Sequence, residues 1–376
     1  PLSECFTGRA ARVTKHLQKE ITKQREAVAH SFKEEMLKFI HGQNWAQTMP
    51  GDERASAALQ CDSFSSQLLQ ALPNKYYSLS PAHFADSFAR FLGTPIYSIL
   101  KDNLKDKPIP CSWNGMRGRA TRRCDSFGHE IELATIADNS HWRESTAIEK
   151  AIYESMKYAG IQVSRQDNLT FRGLVPPTAA DGARVAERAP LVPDMKASLS
   201  YDDGKTPEQD FIFDVKTTRR SATTHYKCRE AYDNPHGVVD RRAADVPKEY
   251  VMKARKADRE YASRATRKDN SDSGDEGGDT DLDLDQEVLH TSGPVEAKLR
   301  ELPPPVGLAF GAYCEASAEV HRLVKVVAAY MVDRRGGELG YMDNEQKKAV
   351  FEQRLRQSWA MAALLSKARA REERLP

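Results

Sequence analysis

Long apolar runs are missing from this chain. Among its 376 residues no stretch approaches the roughly 18 consecutive apolar positions that a membrane-spanning helix needs, so no membrane partner is expected. Cysteine is sparse and scattered: Cys5, Cys61, Cys111, Cys124, Cys228 and Cys314 form no CxxC pair and no cluster with His at zinc spacing. A structural zinc site is therefore not expected. In a chain this long the six cysteines read as reduced thiols of an intracellular protein, nuclear in a eukaryotic cell and cytoplasmic otherwise. Neither GxxxxGK[ST] nor GxGxxG occurs, so the phosphate loops of nucleotide-binding folds are lacking. The first residues, PLSECFTGRAARVTKHL, contain no initiator Met and no apolar signal core, and the chain is expected to be processed or cut from a longer one.

What is present is charge, unevenly placed. The formal net charge is only +2, yet Asp269 to Glu287 hold nine acidic residues and no basic one. Setting those nine negative charges aside leaves +11 on the remainder, a balance that suits a polyanionic partner. The acidic tract has no aromatics and much Gly and Ser, too little apolar surface to fold, and is expected to be disordered.

Periodicity divides the rest. Residues 1–110 read as a helical N-terminal region: Val13, Leu17, Ile21, Val28, Phe32 and Met36 repeat at helical spacing. A second helix starts at Ser80-Pro81 and carries Phe84, Phe88, Phe91 and Leu92 on one face. Residues 111–140 read as a basic linker followed by a short strand near Ile131 to Ile136. A core at 141–335 opens with a helix over 144–159, whose apolar face is Ile148, Ile152, Met156 and Ala159 and whose C-cap is Gly160. It continues through a short strand near 161, a hairpin over 191–218, a helix from 245 to about 265, a strand over 306–313 and a helix through Val320 to Met331. Residues 336–376 form a C-terminal helix. The terminal helices offer a surface for a protein partner or a homodimer.

The hairpin carries the chemistry. Asp203-Gly204 is a turn signal, and a two-residue turn there would set Asp194 opposite Phe213. Pro207 cannot donate to a ladder, which favours a longer or bulged connection. One added residue makes paired positions sum to 408 and places Asp194 opposite Asp214, with about 5 Å between them. Lys216 then shares a face with Asp214. Two carboxylates so close repel unless a cation lies between them, and hard oxygen ligands suit Mg²⁺ or Mn²⁺. A lysine beside such an ion can orient a water and stabilise a phosphoryl oxygen.

Pro193-Asp194, nineteen residues, then Asp214-Val215-Lys216 resembles the signature of the PD-(D/E)xK nuclease superfamily. The resemblance covers roughly 140–335. It implies an α/β restriction-endonuclease-like core, a mixed β-sheet flanked by helices, with helical N- and C-terminal additions. It also implies a metal-dependent endonuclease, DNA favoured over RNA, with metal held by Asp194, Asp214 and the carbonyl of Val215. Lys216 would be the catalytic lysine. A carboxylate on the first core helix maps to Glu149 in preference to Glu144, and a basic residue on the helix after the hairpin maps to Lys253, within the stripe of Val246, Tyr250 and Ala257. Arg219, Arg220, Lys227, Arg229, Arg241 and Arg242 lie near the site in sequence, interleaved with His225, Tyr226 and Tyr232; such a loop suits phosphate contacts, and simple solvation equally. A binding module of the same fold that cleaves nothing and an RNA endonuclease of the superfamily are the rival readings.

Overall fold

A computed structural model describes residues 62–67, 79–109, 123–133, 140–174, 189–201, 207–218, 237–270, 293–372 and 375. The helix expected over 10–40, the turn at Asp203-Gly204, the basic loop over 219–236 and all but the first two residues of the acidic tract lie outside the described residues.

In chain order the elements are α1 (Pro81–Phe91), α2 (Tyr97–Lys101), α3 (His129–Leu133), α4 (Ser140–Tyr158), β1 (Gln162–Arg165), β2 (Met195–Leu199) and β3 (Gln209–Thr217). They continue with α5 (Gly237–Asn270), α6 (Pro294–Arg300), β4 (Val306–Phe310), α7 (Ala318–Arg335), a 3-10 turn (Gly336–Leu339) and α8 (Asn344–Glu372). The fold is mixed α/β, with one four-stranded sheet in the order β1-β2-β3-β4. The pairs β1/β2 and β2/β3 are antiparallel and β3/β4 is parallel. A parallel neighbour needs a crossover, which α5 and α6 supply.

Both faces of the sheet are covered, and the Phe211-Ile212-Phe213 run of β3 has apolar partners on each of them. Phe213 and Val215 enter the main core with Ile148, Ile152 and Met156 of α4, Leu323 and Val327 of α7, and Phe351, Leu355 and Trp359 of α8. Ile212 points the other way, into a second cluster with Val246, Tyr250 and Ala254 of α5 and Val295 and Leu299 of α6. The apolar face expected on α4 is buried as expected, and Gly160 sits at φ +76°, the left-handed conformation a glycine adopts at little cost after a helix end. Ser80 caps α1, its side chain accepting the His83 N–H at 3.1 Å.

Several expectations are corrected. The helix after the hairpin begins at Gly237, eight residues before the expected start, with Pro247 inside it. A proline without an N–H leaves the carbonyl four residues earlier without its helical partner. Here that is the carbonyl of Ala243, and a Cβ added at Gly307 of β4 would lie 2.3 Å from its oxygen. The carbonyl that loses its bond is thus one that lies against the strand at Gly307. Near Ile131 the chain is the short helix α3 rather than a strand. On α1 the expected apolar face is only partly the inner one: Phe88 and Phe91 are half-buried against the main core, Phe84 and Leu92 are exposed, and Asp86, Ser87, Ala89 and Arg90 are buried. The polar inner face is tolerated because Arg90 pairs with buried Glu132 at 2.9 Å and Asp86 accepts the Ser98 N–H and hydroxyl. The strand at 306 ends at Phe310.

The C-terminal helix is part of the core and not an addition to it. Trp359 is fully buried, and its indole N–H donates to Ser155 Oγ of α4 at 3.0 Å. The apolar residues of α8 thus face its own chain, which leaves that face unavailable to a partner. Among the described residues no helix is long and apolar enough to cross a membrane.

Candidate active site

The strand register brings the carboxylates together. Met195 pairs with Phe213 and Leu199 with Gln209, so paired positions sum to 408, and Asp194 stands across from Asp214 just beyond the end of β2. Pro193 has no N–H with which to extend the ladder. The Asp194 side chain extends it instead, its Oδ2 accepting the Val215 N–H at 2.8 Å. Asp214 lies on the α5 side of β3, only 4% exposed, and its Oδ1 accepts the Tyr250 hydroxyl at 3.3 Å. Its Oδ2 is buried, accepts no well-directed hydrogen bond and is met by the Lys216 ammonium in a close ion pair.

The electrostatics follow from this crowding. Burial, then the neighbouring Asp214 charge, push the Asp194 carboxyl up to about 7; Glu149 adds to the effect, while the Val215 N–H and Lys216 oppose it. Glu149 on α4 is buried, and Arg165 at the end of β1 donates to its Oε1 at 2.6 Å. Burial raises its carboxyl above the usual range and Asp214 adds to this, with Arg165 offsetting part. Tyr250 is shifted upward by burial and by the charges of Asp214 and Asp194. Four acidic groups from α4, the β2 approach, β3 and α5 therefore feel one another across a small volume.

Asp194, Asp214, Lys216 and Glu149 are thus brought together. Val215 is buried with its side chain in the main core, so only its main chain is available to a ligand. Lys253 is exposed, not part of the buried line, which runs through Val246, Tyr250 and Ala254; its ammonium lies 5.2 Å from the centre of the Tyr250 ring, at the rim of the site. Arg241 and Arg242 belong to the first turns of α5 rather than to a loop. Arg241 is exposed, and Arg242 forms an ion pair with Glu249. Arg219, Arg220, Lys227 and Arg229 lie outside the described residues.

Three residues escaped the sequence reading. Tyr250 had a signal only as a core residue of the α5 stripe, Arg165 closes an unremarkable short strand, and Glu249 is one of many charged positions on α5. No local pattern ties any of them to Asp214.

The donor set is all oxygen, which suits Mg²⁺ or Mn²⁺ over softer metals. The buried Asp214 Oδ2 has no well-directed hydrogen bond and is balanced by the Lys216 ammonium, a charge environment that a bound cation would share. Among the described residues no group of three or more His, Cys, Asp or Glu side chains is already gathered as a ligand set, so the pair Asp194 and Asp214 with a main-chain carbonyl is what the site offers. No family model, curated protein or solved structure matches the chain.

Proposed function

We propose that this chain is a Mg²⁺- or Mn²⁺-dependent endonuclease that hydrolyses phosphodiester bonds of nucleic acid, DNA by preference, on a restriction-endonuclease-like core. The observation that carries the reading is the 408 register, which puts Asp194 opposite Asp214 with Lys216 against the second carboxylate. The chain order of helix α4, strands β1 to β3, helix α5 and strand β4 in one mixed sheet supports the reading.

Asp194 and Asp214 would hold the ion, with the Val215 carbonyl as a further oxygen. When bound, the ion supplies Lewis-acid polarisation of a phosphoryl oxygen and a more acidic water. Lys216, as an ammonium, would orient that water by donating to it and stabilise negative charge at the phosphorus oxygens. Glu149, fixed by Arg165, adds a second-rank carboxylate beside Asp194 and Asp214. Lys253 and Arg241, exposed on α5, with Arg219, Arg220, Lys227 and Arg229, supply cationic contacts to the backbone of the substrate.

The test is cleavage of supercoiled plasmid and of single-stranded DNA and RNA with Mg²⁺ or Mn²⁺, comparing wild type with Asp214→Ala and Lys216→Ala. A loss of roughly 100-fold or more is expected in each variant. Equal activity in all three removes the assignment. Salt-sensitive binding without metal-dependent cleavage in the wild type makes the chain a binding module.

A further inference from the structure

We infer that Glu249 is a positioning residue that holds the Lys216 ammonium over the carboxylate pair, with Arg242 fixing Glu249 in turn; the inference rests on the nuclease reading above. Among the described residues Lys216 forms ion pairs with two acidic side chains. One is Asp214 Oδ2, and the other is Glu249 Oε2 at 4.0 Å. The first also belongs to the pair proposed to receive a cation, and an ion there weakens its pull on the lysine. A lysine is a point charge on a flexible four-carbon stem, so it then needs a second anchor to stay in place.

Glu249 is built for that role. Arg242 lies seven residues earlier on α5, two turns away and on the same face. Its Nη1 pairs with Glu249 Oε1 and its Nη2 lies 3.4 Å from Oε2. Both side chains are mostly shielded, 32% and 25% exposed, so water screens the pair less than it would a surface contact. Burial alone opposes ionisation of Glu249, but Arg242, Lys216 and Lys253 hold its carboxyl below the usual range, leaving it charged at neutral pH. The next residue, Tyr250, pins α5 to Asp214 itself. Consecutive residues of one helix thus grip the lysine and the aspartate, and Arg242 acts inside the protein rather than on the substrate.

The experiment measures steady-state cleavage of a labelled DNA duplex by full-length wild type, Glu249→Gln, Glu249→Asp, Lys216→Ala and the double variant Glu249→Gln/Lys216→Ala. Melting curves and calorimetric titration with Mg²⁺ accompany each. Glu249→Gln should lower kcat by about 10- to 100-fold with KM and Mg²⁺ affinity changed less than about twofold. Glu249→Asp, which keeps the charge, should recover part of the loss, and Glu249→Gln should cost nothing further once Lys216 is gone. An unchanged kcat in Glu249→Gln, or an undiminished loss in the Lys216→Ala background, overturns the assignment. A tenfold fall in Mg²⁺ affinity overturns it too, by making Glu249 a ligand. Absence of cleavage by the wild type sinks the nuclease reading, a result distinct from any of these.

Discussion

At the scale of single residues, Asp62 shows how one carboxylate can tie a segment to the core. It accepts the N–H groups of Phe64 and Ser65 at 2.8 Å through Oδ1, and the Ala316 N–H at 2.9 Å through Oδ2. His321 lies 3.2 Å from the same Oδ2, and Phe64 is sealed against Phe310 and the His321 ring. Burial opposes ionisation of Asp62, but the His321 contact and the amides of Ser65 and Ala316 outweigh it and hold the carboxyl below its ordinary value of 3.8. A carboxyl that titrates lower in the folded chain contributes fully above its unfolded value and loses that contribution as pH falls through the folded one. Asp62→Asn is therefore expected to cost on the order of 2 kcal/mol near pH 7 and progressively less as the pH falls below about 4. Urea denaturation of both proteins across that range checks it; a gap that does not narrow would show that charge is not what matters. The same scale sets the limit on what could be read for the site. Asp194, Asp214 and Lys216 stand in one hairpin at fixed spacing, whereas Tyr250, Arg165 and Glu249 reach them from other elements, and no spacing encodes that.

At the scale of elements, the contact between α5 and β4 decides how closely the crossover covers the site. Gly307 is required by space: a methyl there meets the Ala243 carbonyl at 2.3 Å and its Cα at 2.7 Å, both main-chain atoms that cannot rotate away. Gly307→Ala is expected to destabilise the protein by about 1–3 kcal/mol. Because Gly307 pairs with Asp214 and Tyr250 sits on α5, the shift should also loosen the Tyr250–Asp214 bond. Denaturation midpoints test the first effect, and hydrogen exchange at the Asp214 to Lys216 amides tests the second. The N-terminal eight residues of α5 were hidden by Pro247, whose ordinary place is a helix's first turn. Its occurrence inside the helix makes sense only once β4 is seen beside Ala243. The α4 stripe and the β3 run were legible because each repeats with its element's own period.

At the scale of the whole molecule, the charge segregation has a measurable consequence. Removing Asp269 to Glu287 takes the formal net charge from +2 to +11. On the nuclease reading this variant should bind a fluorescent oligonucleotide more tightly at low salt, with the gain fading as salt screens the charges. Fluorescence anisotropy across a salt series checks it, and unchanged affinity would leave the tract no electrostatic role.

The sequence by itself determined the alternation of β3, the buried face of α4, the glycine after it and the carboxylate–lysine spacing, because each depends on neighbours in the chain and on a helix or strand period. Tertiary structure alone decided three things: that the hairpin takes the 408 register, that α8 completes the core through Trp359, and that Tyr250 and Glu249 close on Asp214 and Lys216. Those depend on which elements pack against the sheet, and such packing is settled by the fit of whole surfaces rather than by local pattern.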